Sequence, residues 1–324
     1  MQPFTYTVAS TVQDASRKSA NSNQTLLGGG TCLIDLMKLD VMLPDHLVDV
    51  RKVSEGAVED KGSSVLISGT ATNSGVAYNE LIQKQFPVLS QALLSGASPQ
   101  LRNAATIAGN IMQRTRCYYY RDTATRCNER EPGSGCDAIE GFNRIHAVLG
   151  VSDHCIATHP SDMCVALAAL DAVVHIQNGT TRKEVAFTDF HVLPGEHPEI
   201  ETILQTGDVI TGVEIAKSNL ARNSHYLKVR DRASFSFALT SAAVALDGAS
   251  TIGGARLALG GVGTKPWRAA EAEAALLGKP ANAESFREAA EIAMRTAVPH
   301  KHNKFKIELA KRTIVKAYEE LAKG

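Results

Sequence analysis

The sequence lacks three features that would assign it to common classes of protein. It has no run of about 18 apolar residues, so we expect no membrane span. Its 34 basic residues balance 34 acidic ones, whereas a nucleic-acid-binding protein normally carries a basic excess. The N-terminal residues have no basic start followed by an apolar stretch, so we expect no signal peptide. We therefore expect a globular protein that is cytoplasmic, or periplasmic by co-export with a signal-bearing partner.

The common nucleotide-binding glycine motifs, GxGxxG and GxxxxGK[ST], are also missing. A different glycine turn, Gly28 to Thr31, follows a predicted strand at 24–27 and precedes a short helix that starts near Leu33. A strand, a glycine turn and a helix start suit a phosphate group, because backbone N–H groups can approach the anion closely. An ordinary turn remains the alternative, since this pattern alone is weak.

The cysteines are concentrated in one stretch, because five of the six lie between Leu101 and Leu170. A glycine turn is expected at 105–110. After it, four of the cysteines lie in a long polar loop at 113–158 with the spacing C-x9-C-x8-C-x18-C. Loops of this length without regular pattern are uncommon and need something to hold them. The spacing matches neither paired zinc knuckles nor a bacterial ferredoxin. An iron–sulfur cluster, a structural zinc ion, and unliganded or disulfide-paired cysteines all remain open.

The residues around the loop slightly favour an iron–sulfur cluster, because a cluster held by thiolates carries net negative charge. We expect the surrounding arginines to offset that charge and the loop glycines to turn backbone N–H groups towards sulfur. Cys164 is expected to be a small buried core residue, and Cys32 is either packed or a thiol near a ligand. The loop residues in question are Arg114, Arg116, Arg121, Arg126, Arg130, Gly133 and Gly135.

Hydrophobic periodicity predicts an α+β protein, in which strands are followed by helices. The linker is predicted at 216–224, and an Asn178-Gly179 turn predicts a hairpin. Strands are predicted at 3–8, 24–27, 48–53, 64–68, 171–177, 182–186, 201–204, 209–215, 226–229, 238–246 and 255–259. Helices are predicted at 11–20, 70–86, 87–94, 269–277, 283–294 and 305–322, with a further apolar helix opened by Ser161 and Asp162.

Five motifs in order carry a resemblance to a known family: LLGGGTCLIDLMK, RNAATIAGNI, HPSDMCVALAALDA, KVRDRASFSFAL and GGVGTKPWRA. Together they resemble the FAD-binding medium subunit of molybdenum hydroxylases, which include xanthine dehydrogenases, carbon monoxide dehydrogenases and aldehyde oxidoreductases. The cysteine loop narrows the resemblance to bacterial three-subunit aldehyde oxidoreductases, whose flavin subunit carries an extra [4Fe–4S] cluster.

The resemblance implies the fold and the domain limits. Residues 1–215 would form a two-part FAD-binding domain of the PCMH/vanillyl-alcohol-oxidase type, with subdomains at about 1–55 and 56–215. Residues 225–324 would form a small α+β C-terminal domain of the CO dehydrogenase flavoprotein type.

The resemblance also implies which residues hold the cofactors, and it gives no catalytic residue on this chain. Cys32 departs from the family, which usually has Asp or Asn there, so one hydrogen bond near the pyrophosphate would be missing. Asp162 as a simple helix cap and Lys228 as a solvated charge remain alternatives. The implied FAD-binding residues are Leu27, Gly28, Gly29, Gly30, Thr31, Cys32, Leu33, Thr106, Gly109, Asn110, Asp162, Ile210 and Lys228. The implied cluster ligands are Cys117, Cys127, Cys136 and Cys155.

The implied function is electron transfer within a heterotrimer. Electrons would come from a large molybdenum-cofactor subunit through [2Fe–2S] clusters on a small subunit, reach FAD here, and leave to an external acceptor. Alternatives are the flavin subunit of an NAD-linked xanthine dehydrogenase-type or hydroxybenzoyl-CoA reductase-type enzyme, and a zinc-stapled binding module without redox function. A partner-facing surface is expected. The helix around Phe305, Ile307 and Leu309 is one candidate, although packing onto its own domain is favoured.

Overall fold

The computed structural model describes residues 1–21, 23–248 and 250–323. Within these ranges the chain forms three sheets with helices packed between and around them. The strands are β1 (Thr5–Val8), β2 (Gln24–Leu27), β3 (His46–Asp49), β4 (Val58–Asp60), β5 (Ser64–Ser68), β6 (Val173–Asn178), β7 (Thr181–Ala186), β8 (Val209–Ala216), β9 (Ser224–Val229), β10 (Thr240–Asp247), β11 (Gly254–Gly260) and β12 (Trp267–Arg268).

The helices are short in the first two thirds of the chain and longer towards the C-terminus. They are α1 (Val12–Lys18), α2 (Leu33–Lys38), α3 (Asn73–Ala77), α4 (Glu80–Gln85), α5 (Pro87–Ser95), α6 (Pro99–Ala104), α7 (Ile107–Ile111), α8 (Tyr118–Arg121), α9 (Asp137–Glu140), α10 (Asp162–Ala169), α11 (Phe187–Phe190), α12 (Asn219–Arg222), α13 (Ala270–Leu276), α14 (Ala283–Met294) and α15 (Phe305–Leu321).

The first sheet carries the glycine turn. It is parallel, in the order β1-β3-β2, and β2 runs directly into Gly28 to Gly30 before α2 begins. Gly30 has φ +70°, a left-handed conformation that disfavours other residues. The predicted strand, turn and helix are therefore confirmed, and the turn lies at the carboxyl end of a parallel strand.

The second sheet is antiparallel, in the order β4-β5-β8-β6-β7. The hairpin between β6 and β7 turns at Asn178 and Gly179, with φ +57° at the glycine, as the sequence predicts. Helices α5 and α10 pack against each other in the same apolar core as the buried residues of this sheet. Helix α10 is buried along its whole length, which explains its apolar sequence after Asp162.

The C-terminal sheet has the antiparallel order β12-β11-β10-β9 and is covered on both faces. Helix α15 packs against β9 and β10, while α10 packs against β10 and β11. All residues of β10 except the last are buried as a result. A Cβ at Gly260 would lie 2.6 Å from Val165, so glycine permits the close approach of α10 to β11.

Several predicted elements differ from the structure, and one is the strand predicted at 48–53, since β3 spans His46–Asp49. The helix predicted at 70–86 is broken into α3 and α4, because the Asn79 side chain accepts hydrogen bonds from the N–H groups of Leu81 and Ile82 and starts a new helix. The strand predicted at 201–204 is absent from the described residues, where Thr202 forms only an isolated bridge with His191. The segment expected to be a turn at 105–110 is mostly helix α7.

The C-terminal helix α15 packs mainly onto its own domain. Its buried face joins the apolar core of the C-terminal sheet, and Ile307 packs against the same core. Phe305 is 39% exposed, with the Arg144 guanidinium 5.2 Å from its ring centroid. Among the described residues, no helix has both the length and the apolar character needed to cross a bilayer.

Candidate functional site

A cavity of about 550 Å³ opens between the first and second sheets. This volume lies in the range of roughly 300–1,000 Å³ that is usual for small-molecule and cofactor sites. One wall is the glycine turn, a second is the start of α7, and a third is the segment 199–210. The implied FAD residues that line it are Gly28, Gly29, Gly30, Thr31, Cys32, Leu33, Thr106, Gly109 and Ile210.

The two turns at the cavity pack directly on each other. A Cβ at Gly28 would lie 2.6 Å from the Thr106 Oγ1 atom, and a Cβ at Gly29 would lie 2.0 Å from the Ala104 carbonyl oxygen. Thr106 also caps α7 by accepting a hydrogen bond from the Gly109 N–H at 3.2 Å. Glycine is therefore required here for contact between two backbone segments, a constraint that the sequence pattern alone did not reveal.

Four of the implied FAD residues lie outside the cavity lining. Leu27 precedes the turn, and Asn110 accepts a 2.7 Å hydrogen bond from the Ser161 hydroxyl. Asp162 and Lys228 form a buried ion pair with each other at 2.7 Å. Their contact with FAD stays a prediction.

Polar residues that the sequence reasoning missed also face the cavity. The Gln24 Oε1 atom is buried and has no hydrogen-bond partner among the described residues. Arg51 lines the cavity beside the glycine turn, where its guanidinium pairs with Asp49 at 2.6 Å. Only the alternation of polar residues in the strands flanking the turn could have pointed to them.

The Asp162–Lys228 pair joins the FAD-binding part of the chain to the C-terminal sheet. Asp162 also accepts a hydrogen bond from the Tyr226 hydroxyl at 2.6 Å, and Lys228 donates to the Ser95 carbonyl oxygen at 3.0 Å. Both charged side chains are less than one tenth exposed. Such a buried pair is costly to break, because the partner left behind is an uncompensated charge.

Lys228→Met should therefore lower the free energy of unfolding by roughly 3–5 kcal/mol, since Asp162 loses its cation while it stays buried. Denaturant unfolding of the full chain measures the change. Lys316→Met is the matched control, because Lys316 and Glu320 form an exposed pair at 3.3 Å and such pairs contribute about 1 kcal/mol or less. Equal effects of the two substitutions would contradict this account of the pair.

The four loop cysteines meet in a small apolar cluster beside the glycine-turn helix. Cys117, Cys127 and Cys155 are buried, Cys136 is half-buried, and all four pack with Leu36 of α2. Backbone N–H groups two or three residues further along lie near each sulfur, and the Ala157 N–H donates to the Cys155 sulfur at 3.4 Å. The other nearby N–H groups are those of Tyr119 and Tyr120 for Cys117, Glu129 and Arg130 for Cys127, and Ala138 and Ile139 for Cys136.

The environment of these sulfurs suits thiolates bound to a cationic centre. Burial raises the pKa of Cys117 to about 12, and it raises the pKa values of the other three thiols as well. A thiolate here therefore needs a metal to compensate for lost solvation. N–H groups that face sulfur commonly adjust the reduction potential of such a centre.

The spacing of the sulfurs bears on which metal fits. A single zinc ion holds its thiolates at about 2.3 Å, which brings the sulfurs within about 4 Å of one another. The described residues include all four loop cysteines. Among the described residues, one group of potential ligand atoms lies within 4.8 Å of one another, and it consists of His159, Cys164 and His191. The four loop sulfurs do not form such a group among the described residues.

The arginines of the loop do not surround the sulfurs as expected. Arg121 pairs with Asp35 at 2.5 Å, and Arg126 pairs with Asp137 at 2.8 Å near the surface. Arg130 donates to the carbonyl oxygens of Tyr119 and Tyr120. These arginines therefore stabilise the loop's own backbone and carboxylates, and Arg130 alone among the three also acts electrostatically on Cys127.

Two other expectations about the loop are also corrected. Arg116 was expected beside the loop sulfurs, but it lies 3.4 Å from the sulfur of Cys32. Cys32 is therefore packed between the glycine turn and the loop. The Gly135 N–H donates to the Asn128 side chain at 2.7 Å instead of to a sulfur. The side chain that does face a sulfur is His146, which the sequence reasoning missed; its Nε2 atom lies 3.0 Å from the Cys117 sulfur.

A charged trio connects the cysteine cluster with the cavity. The Arg114 guanidinium lies 3.0 Å from a Glu129 oxygen and 2.6 Å from a Glu201 oxygen. Glu129 is buried next to Cys127, whereas Glu201 and Arg114 line the cavity. Burial and the charge of Glu129 together raise the pKa of Glu201 to about 8. Two carboxyl groups share one arginine, so one of them keeps its proton at neutral pH.

This raised pKa predicts how the stability of the FAD-free chain depends on pH. The folded chain keeps the Glu201 proton up to about pH 8, whereas an unfolded Glu loses it near 4.5. The stabilisation is therefore complete below pH 4.5 and is lost as pH rises to about 8. The loss should be on the order of 1 kcal/mol, because solvent partly screens this side chain.

Denaturant unfolding at pH 5 and pH 8 measures the effect, and Glu201→Gln should flatten the pH dependence. Glu199→Gln is the control, since Glu199 is a neighbouring cavity residue whose carboxylate contacts only the exposed His197. An unchanged profile in Glu201→Gln would contradict the assignment.

The compact group of His159, Cys164 and His191 is best described as packed side chains. Burial lowers the pKa of His191 to about 4 and the pKa of His159 well below its usual range, so both rings are neutral. The two rings meet edge to face with centroids 4.6 Å apart, and Phe190 packs against His191 at 5.0 Å. Cys164 is a buried core residue, as predicted.

Two family sequence models match the chain. The one described as the FAD binding domain in molybdopterin dehydrogenase matches residues 2–217, and the one described as the CO dehydrogenase flavoprotein C-terminal domain matches residues 225–321. The aldehyde oxidoreductase FAD-binding subunit PaoB of Escherichia coli is 44% identical over 324 residues, which cover 99% of this chain and 98% of that protein. The glyceraldehyde dehydrogenase medium chain of Sulfolobus acidocaldarius is 24% identical over 98% of both chains.

Solved structures share the fold. A chain of carbon monoxide dehydrogenase from Hydrogenophaga pseudoflava superposes with a TM-score of 0.76 at 23% identity, covering 98% of this chain and 96% of that one. A chain of quinoline 2-oxidoreductase from Pseudomonas putida 86 gives a TM-score of 0.77 at 22% identity, covering 100% of this chain and 98% of that one. At these identities the likeness concerns the fold alone.

Proposed function

This chain belongs to the FAD-binding subunits of the molybdopterin dehydrogenases, also called molybdenum hydroxylases, and from that premise we propose that it is the FAD and [4Fe–4S] electron-transfer subunit of an aldehyde oxidoreductase. The observation that carries the proposal is the meeting of four cysteines, three of them buried, beside the helix that follows the glycine turn. One side of that helix thus faces a cavity suited to a nucleotide cofactor, and the other faces a cysteine cluster suited to a metal centre.

The residues present fit FAD. The glycine turn at 28–30 and Gly109 at the start of α7 line the cavity without side chains of their own, which suits a pyrophosphate. Gln24 offers a buried, unpartnered Oε1 atom, and Arg51 offers a positive charge beside the turn. Bound FAD supplies conversion between two-electron and one-electron transfer, whereas these residues bind the cofactor and orient it.

The cysteines fit an iron–sulfur cluster. All four meet in one apolar cluster, and backbone N–H groups lie near their sulfurs. A cluster supplies one-electron storage when bound, and Tyr120 and Ile156 keep water from the ligands. The Arg114, Glu129 and Glu201 trio fixes the spacing between the cluster and the cavity.

Partner subunits would complete the enzyme. We propose a large molybdenum-cofactor chain that oxidises the aldehyde and a small [2Fe–2S] chain that passes electrons to this one. The substrate class is supported by the relative of 44% identity, whose name specifies an aldehyde oxidoreductase. The compartment would be the cytoplasm, or the periplasm by co-export with a partner.

The experiment is to purify the chain together with its partner subunits and add aldehydes without oxygen. Loss of flavin absorption, and its return with an electron acceptor, is the expected result. Oxygen, quinones and NAD should be compared as acceptors. Reoxidation by NAD would instead favour a xanthine dehydrogenase-type subunit, and aldehydes that leave the flavin oxidised would contradict the proposal. A colourless chain that contains zinc would favour the non-redox binding module.

A further inference from the structure

A buried histidine touches one of the four cysteines. The His146 Nε2 atom lies 3.0 Å from the Cys117 sulfur, and only 1% of His146 is exposed. The other ring nitrogen, Nδ1, is buried without a partner. A thiolate sulfur can only accept a hydrogen bond, so the proton must lie on Nε2 once Cys117 is a ligand.

A buried lysine of the C-terminal domain holds the backbone of this histidine. Lys306 is fully buried at the start of α15 and donates to the carbonyl oxygens of Ile145, His146 and Gly261. Its three N–H groups are thus all used on backbone carbonyls, and no carboxylate contacts it among the described residues. An ammonium group is costly to bury, so this arrangement has to be supported by the surrounding structure.

An asparagine also holds the backbone of this histidine. Asn303, also fully buried, donates to the His146 carbonyl at 3.4 Å and to the Ala147 carbonyl at 3.0 Å. The Val148 N–H donates to the Val262 carbonyl at 2.8 Å, which ties the next residues to the C-terminal sheet. The main chain at His146 is therefore fixed from the C-terminal domain, and the direction of its imidazole is fixed with it.

We propose that His146 donates a hydrogen bond to the cluster ligand Cys117 and raises the reduction potential of the cluster, and that Lys306 is the positioning residue that holds His146 in place. The inference rests on the proposed [4Fe–4S] cluster. A hydrogen bond to a ligand sulfur offsets the negative charge gained on reduction and so favours the reduced form. The C-terminal domain thereby tunes a centre whose ligands all belong to the other part of the chain.

The test is a redox titration of the full chain, followed by electron paramagnetic resonance, with iron and FAD content measured on the same samples. His146→Phe keeps a ring but removes the donor. It should shift the equilibrium towards the oxidised cluster about tenfold, which is about 59 mV for a one-electron couple. His146→Gln, which keeps an N–H donor, should recover part of the shift. The matched control is His154→Phe, because His154 is an exposed histidine next to ligand Cys155.

A spectroscopic signature separates the proposed role from simple packing. The reduced cluster of protein labelled with ¹⁵N-histidine should show a nitrogen hyperfine coupling that His146→Phe removes and His154→Phe keeps. Lys306→Met should weaken this coupling and shift the potential in the same direction as His146→Phe.

The outcomes distinguish the inference from the proposed function. An iron-loaded His146→Phe variant with unchanged potential and unchanged coupling would overturn the role of His146. If Lys306→Met kept the wild-type coupling, the positioning role would be overturned. Wild-type chain without iron would instead refute the proposed cluster itself. If His146→Phe lost its iron, the coupling in wild type and the reduction potential of His146→Gln would still decide the matter.

Discussion

Cys127→Ser is expected to lower the iron content of the purified chain to roughly half of wild type or less and to destabilise the loop at 113–158. Cys127 is buried, pairs in an isolated bridge with Cys136, and faces the N–H groups of Glu129 and Arg130. A serine hydroxyl is a much poorer iron ligand than a thiolate and is also shorter. Because the loop has only a small apolar cluster around these sulfurs, loss of one ligand bond should loosen the whole segment.

Cys164→Ser is the matched control for this change. Cys164 is also buried, but it belongs to α10 and lies in the main apolar core instead of the loop cluster. Its substitution should leave iron content unchanged and cost only packing energy. Iron analysis and limited proteolysis of the loop measure the two effects, and equal iron in Cys127→Ser and wild type would contradict the ligand assignment.

Gly29→Val should reduce FAD affinity by roughly 100-fold or more, which corresponds to the loss of about two hydrogen bonds to a charged group. A Cβ at this position would lie 2.0 Å from the Ala104 carbonyl oxygen and 2.6 Å from the Ala104 carbonyl carbon. The two turns must then separate, and the backbone N–H groups that approach the pyrophosphate move with them. The structure thus explains the effect by contact between two turns, beyond the direct obstruction of the ligand expected from the sequence.

Gly253→Val serves as the control for this substitution. A Cβ at Gly253 would meet nothing closer than the Asp247 carbonyl oxygen at 3.7 Å, and the residue lies in the C-terminal domain. Flavin absorbance per chain, with circular dichroism to check the fold, measures both variants. Full FAD content in the Gly29→Val variant would contradict the assignment of the glycine turn to the FAD site.

The elements with strong local signals were predictable from sequence. The β6–β7 hairpin follows from its Asn-Gly turn, and α14 follows from its apolar periodicity and capping residue Asn282. The glycine turn at 28–30 was also visible as a strand followed by glycines and a helix. In each case the information lies within a few consecutive residues.

The parts that depend on distant contacts were not predictable. His146 carries no motif, and it approaches Cys117 only because Lys306 and Asn303 hold its backbone from the other domain. Arg114, Glu129 and Glu201 are far apart in the chain but form one group of charges in the structure. The composition of the loop alone therefore led to wrong partners being predicted for its arginines. Sequence spacing likewise could not separate zinc from iron, because that choice depends on distances between sulfurs.

The most direct test of the central claim is the composition and spectrum of the full-length wild-type chain, purified without oxygen. The account predicts one FAD and four iron atoms per chain, little zinc, and a Mössbauer spectrum of a single [4Fe–4S] centre. Stoichiometric zinc at the four cysteines, or a chain that holds FAD but no iron after cluster reconstitution, would contradict it.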